Sequence, residues 1–86
     1  MFNDYQTLHE FIRFICNHMG YSESSLTYRV LGNGTRVSII CYDEDGLKGN
    51  TIQATPSMAD AQHYSTSRQK VYSTTVKRKP VYYWVF

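Results

Sequence analysis

The sequence predicts an α+β domain, with one N-terminal amphipathic helix packed on a four- to five-stranded, mostly antiparallel sheet. Three observations lead there. Apolar residues recur at helical spacing through residues 4–19. Residues 26–31 alternate with period two, and residues 35–42, rich in β-branched residues, return after Gly32-Asn33-Gly34. Residues 70–76 alternate likewise and run across Lys77-Arg78-Lys79-Pro80 into the continuous apolar and aromatic stretch 81–86, a second strand pair. The 86 residues make one domain, 1–86; a chain this short hides only about 60–65% of its unfolded surface, so its core is thin.

Each element has a local cause. In the helix, Tyr5, Leu8, Phe11, Ile12, Ile15, Cys16 and Met19 follow the i, i+3, i+4, i+7 pattern. Asn3 with Gln6 resembles a capping box, and Gly20 stands where a left-handed closing residue is wanted. Leu26-Thr27-Tyr28-Arg29-Val30-Leu31 is the first strand, Gly32-Asn33-Gly34 makes a tight turn because Asn-Gly tolerates positive φ, and residues 35–42 return. Residues 43–50 read as a polar, Gly-punctuated loop, and 51–55 as a short strand. Residues 56–69 read either as a short helix capped by Ser57, running through Met58, Ala61 and Tyr64, or as an ordered loop. Pro80 cannot donate to a sheet, so it belongs at the last turn or at the first position of the last strand.

Composition narrows the class. A charged fraction of 19% is too low for a disordered polyelectrolyte. Eight tyrosines suit half-buried strands and contact surfaces, because each pairs an apolar ring with a hydroxyl. The net charge of +2 is unevenly spread: residues 1–56 carry four Lys/Arg against six Asp/Glu, and residues 57–86 carry five against Asp60 alone. Such asymmetry points towards a polyanion or an acidic partner surface. The N-terminal residues lack a signal-peptide pattern, and no apolar run is long enough to span a bilayer. Cys16 and Cys41 sit among apolar neighbours and read as buried free thiols. A cytoplasmic protein with no membrane association is expected.

Several catalytic and metal patterns fail on spacing. His9-Glu10-Phe11-Ile12-Arg13 approaches a zinc-protease helix, but Arg13 occupies the second histidine's place. Cys16, His18, Cys41 and His63 supply the atom types of a zinc site without paired-ligand spacing. Asp43, Glu44 and Asp45 lack the flanking oxygen ligands of a calcium loop, since Cys41 and Ile52 fill those positions. Nucleophilic catalysis by Cys16 or Cys41 needs an exposed, activated thiol beside a base. The expectation is a protein that is not an enzyme and uses no cofactor and no metal.

What remains is a basic, aromatic C-terminal hairpin. Arg68, Lys70, Lys77, Arg78 and Lys79 are interleaved with Tyr72, Tyr82, Tyr83 and Trp84. The expected binding residues are Arg68, Lys70, Lys77, Arg78, Lys79, Tyr82 and Trp84, the last two as apolar anchors within a charged rim. Residues 81–86 are all apolar or aromatic, so the strand presents two apolar faces. One helix covers one face, and the shortage of cover for the other predicts self-association or a protein partner. The expected function is a small interaction protein that binds and modulates or inhibits a macromolecule, in the manner of phage- or defence-related regulators. The alternative is RNA or single-stranded DNA binding by the same surface, where cations meet phosphate and rings stack on bases.

Overall fold

The computed structural model describes residues 5–42 and 45–86. Helix α1 (Tyr5–Met19) buries Leu8, Phe11, Ile12, Ile15 and Cys16, the face its periodicity marks out. It closes as its sequence requires. Gly20 takes φ +80°, and the N–H of Tyr21 donates to the Cys16 carbonyl at 3.1 Å, the six-to-one bond of a Schellman ending. The Asn3 cap lies outside the described residues.

Among the described residues five strands follow: β1 (Leu26–Leu31), β2 (Arg36–Tyr42), β3 (Lys48–Thr55), β4 (Tyr72–Val76) and β5 (Lys79–Val85). A seven-residue helix, α2 (Met58–Tyr64), lies between β3 and β4 in the chain. The sheet order is β1-β2-β3-β5-β4, with every neighbouring pair antiparallel. The expected α+β architecture is therefore present, with five strands and α1 packed on the sheet. Among the described residues no helix is long and apolar enough to cross a membrane.

Register sorts the side chains into two layers. Val37, Ile39 and Cys41 of β2, Ile52 and Ala54 of β3, and Val81 and Tyr83 of β5 share the face that packs on α1. The opposite face of β3 and β5 carries Thr55 and Trp84, both without exposed surface, and α2 packs there with a fully buried Ala61. Arg36 helps to hold this second layer: its guanidinium carbon lies 3.6 Å from the Tyr64 ring centre, and its Nη1 donates to Gln53 Oε1 at 3.4 Å. Both apolar faces of β5 are thus covered within the chain.

Two local readings are corrected, and one left open between helix and loop is resolved. The 43–50 segment is not loop throughout, because β3 begins at Lys48 and pairs Tyr42 with Lys48 past an irregularity between Ile40 and Tyr42. Gly49 acts there as a close-approach residue: an added Cβ would stand 3.1 Å from Tyr21 Oη and 3.3 Å from the Cys41 carbonyl oxygen. The first hairpin's connection takes in Thr35 as well as Gly32-Asn33-Gly34, so the returning strand begins one residue later than expected, with Leu31 paired to Arg36. Residues 56–69 contain the helix: Ser57 Oγ accepts from the Asp60 N–H at 3.3 Å, and Ser57 N–H donates to Thr55 Oγ1 at 3.2 Å.

Candidate binding surface at the C-terminal hairpin

The β4–β5 register pairs Val76 with Lys79, which leaves Lys77 and Arg78 as a two-residue loop. Their φ values are +49° and +65°. Positive φ at both central positions is the type I′ geometry, whose twist matches that of the flanking strands. Such positions normally take Asn and Gly, because an L side chain in the left-handed region costs roughly 1–2 kcal/mol. Pro80 follows at the second position of β5, opposite Thr75. The β3 partnership begins only at Tyr82, so the N–H that proline lacks would have faced an unpaired side.

The loop displays Lys77, Arg78 and Lys79 to solvent. Lys77 Nζ lies 3.8 Å from Glu10 Oε1 on α1. Both side chains are more than a third exposed, so this pair anchors the loop only weakly. Arg68 and Lys70 are also exposed, but at the other end of the hairpin. The five residues of β4 set the two groups about 17 Å apart. The structure therefore divides the five cations into a cluster of three and a pair.

The aromatic residues are placed differently from expectation. Tyr82 is half-buried on the α2 side, and Trp84 is fully buried between β5 and α2. Trp84 is consequently a core residue and offers no surface to a partner. Among the described residues its buried Nε1–H has no hydrogen-bond acceptor, nor does the buried Nε–H of Arg36. Tyr72 is the exposed ring within β4, at 40%, and Phe86, beyond the end of β5, is exposed as well. It stacks on Tyr83 at 5.3 Å between centroids, and Lys70 Nζ lies 5.3 Å from its own centroid. Tyr83 in turn meets Phe11 and Phe14 edge-on, each at 6.0 Å. Burial, and then the Tyr72 phenol beside it, push the Tyr83 phenol above its ordinary value of 10.0. Tyr72 becomes readable from sequence only once Lys77-Arg78 is taken as the loop, because counting back from it sets Tyr72 opposite Tyr83.

The other chemistry-bearing groups are dispersed. Cys16 and Cys41 are free thiols inside the core, and burial, followed by the proximity of Cys16, raises the Cys41 thiol above 9.0. Among the described residues no three His, Cys, Asp or Glu side chains are grouped to hold a metal ion. His18 stacks on Phe14 at 5.5 Å on the helix surface, away from an arrangement with Cys41 and His63. No family model, no curated protein and no solved structure matches this chain.

Proposed function

We propose that the chain is a small non-enzymatic interaction protein that binds a macromolecular partner and modulates or inhibits it stoichiometrically. The observation that carries this reading is the loop of β4 and β5, where two cations occupy left-handed backbone that Asn-Gly would fill without strain. Backbone strain of this kind persists where the side chains it presents are useful. Lys77, Arg78 and Lys79 form the charged contact, and Tyr72 with Lys70 supplies a second, aromatic contact along the same hairpin. An acidic protein surface suits both.

The test is a paired capture from cell extract, with the wild type and the Lys77→Glu/Arg78→Glu/Lys79→Glu variant as baits, read by quantitative mass spectrometry. A bound protein should lose about tenfold or more in recovery, equivalent to about 1.4 kcal/mol. Equal recovery on both baits removes the loop from the account. RNA or single-stranded DNA is the second reading, favoured by the Lys70–Tyr72–Tyr83 stack as a platform for a base. Fluorescence anisotropy with oligouridylate at low and high salt separates the two, because contacts to phosphate weaken steeply with salt.

A further inference from the structure

The two edges of the sheet are guarded unequally. An edge strand presents unpaired N–H and C=O groups to any strand that approaches, and proteins usually blunt it with lysine, proline, a bulge or a cover. Edge β4 is five residues long, is flanked by Lys70 and Lys77, and has α1 packed against it. Among the described residues edge β1 has none of these devices beyond a single charge. Its six residues pair with β2 without a register shift and contain no proline, glycine or lysine. Arg29 is its one charge. Thr27, Tyr28, Arg29 and Val30 are all exposed, with Tyr28 at 48% and Val30 at 40% on the α1 side of the sheet. A groove of about 240 Å³ lined by Thr27, Arg29, Leu31, Ser38 and Ile40 adjoins the same strand.

We propose that β1 pairs antiparallel with β1 of a second copy, in the register that sets Tyr28 against Tyr28. A two-fold axis normal to the sheet keeps the α1 faces of both copies on one side, so opposed residues must share a face. That restricts the centre of symmetry to one residue of the strand. Centring on Arg29 puts like charges directly opposite, which is destabilising. Centring on Thr27 pushes Val30 against Ser24, outside the strand, and centring on Val30 leaves Leu26 and Thr27 unmatched. Centring on Tyr28 sets Leu26 opposite Val30 and Thr27 opposite Arg29, so apolar meets apolar and the charge meets a neutral hydroxyl. The exposed Tyr28 and Val30 of both copies then form one strip. A foreign strand has less to select it, since the edge offers a single cation among five neutral residues.

Light scattering on size-exclusion eluate should give twice the 10.0 kDa of the chain. The Val30→Lys variant should return to one chain's mass with an unchanged far-ultraviolet spectrum. Mild oxidation of Tyr28→Cys should give a covalent dimer reversed by thiol, because Cα atoms directly opposite across strands lie within disulfide reach. Should Val30→Lys fail to fold, the Tyr28→Cys result decides alone. A wild type with one chain's mass at every concentration overturns the proposal, whether or not a foreign peptide binds the edge. A dimer that persists in Val30→Lys, or that Tyr28→Cys cannot lock, overturns it equally. Charge reversal at Lys77, Arg78 and Lys79 should leave the doubled mass intact, so failure here and failure of the proposed function are separable.

Discussion

The two hairpins meet the same demand, left-handed backbone at a strand reversal, with opposite chemistry. Between β1 and β2, Gly32, Asn33 and Gly34 take φ of +56°, +55° and +92°. Thr35 closes that turn, its Oγ1 donating to the Gly32 carbonyl at 2.8 Å. Glycine and asparagine carry such angles at little cost. Between β4 and β5, Lys77 and Arg78 carry them with full side chains. The first turn takes residues that suit its backbone, whereas the second takes residues that do not and holds three consecutive cations in solvent. A turn that sacrifices stability for display is a better functional lead than the local charge density alone.

The comparison can be broken most forcefully beneath the second hairpin. Trp84→Ala should cost about 3–5 kcal/mol, because it empties the layer between β5 and α2. Trp84→Phe should cost less than about 1.5 kcal/mol, since it also deletes the buried Nε1–H that lacks an acceptor. Urea unfolding followed by circular dichroism measures both, and near-equal losses would dispute the placement of this side chain. At the first turn, Gly32→Ala should destabilise by about 1–2 kcal/mol, with its new Cβ driven against Thr35 Oγ1. Adding Thr35→Ala should recover the steric part and leave the backbone part.

The reciprocal change sharpens the contrast. Lys77→Asn/Arg78→Gly should raise stability by about 1–2 kcal/mol while weakening capture of a partner. Thermal melts that show no gain would mean that the loop carries no strain worth relieving. A pH series probes the core both hairpins share. The folded state holds Cys41 and Tyr83 protonated more firmly than the unfolded chain does. Their contribution is therefore complete below about pH 9 and is lost as pH climbs past it. Urea midpoints should stay level up to that point and then fall, with a shallower fall in Cys41→Ala. The smallest effect belongs to Glu10→Gln, within about 0.5 kcal/mol, because its pair with Lys77 is solvent-exposed.

How much was legible depended on whether the signal was local. The period of α1, the Gly20 ending and the strand character of 26–31 are properties of neighbouring residues, and they stand in the structure where the sequence places them. The early start of β3 was hidden because Gly49 reads as a loop breaker until Tyr21 is seen beside it. The I′ loop was hidden because Lys77-Arg78 lacks the Asn-Gly chemistry that announces one. On the candidate surface, the exposure of Arg68, Lys70, Lys77, Arg78 and Lys79 followed from charge. The burial of Trp84 did not, because period two separates the two faces of β5 without saying what lies against either. That depends on α2, a seven-residue helix whose position is set by tertiary packing.

The position of β5 has a bearing on how the molecule comes into being. β5 lies between β3 and β4, pairing Ile52 with Val85 and Tyr72 with Tyr83, so the sheet has no join between β3 and β4 without it. A chain emerging from the ribosome can form α1 and the β1–β2–β3 meander early, but β4 pairs with β5, in residues made after it. Trp84, against which α2 settles, arrives in the same late segment. Completion therefore waits on contacts that are distant along the chain, which slow folding. Until then the edge of β3 that β5 later covers stands open, opposite the edge of β1, and the nascent domain carries an adhesive border that the finished sheet closes.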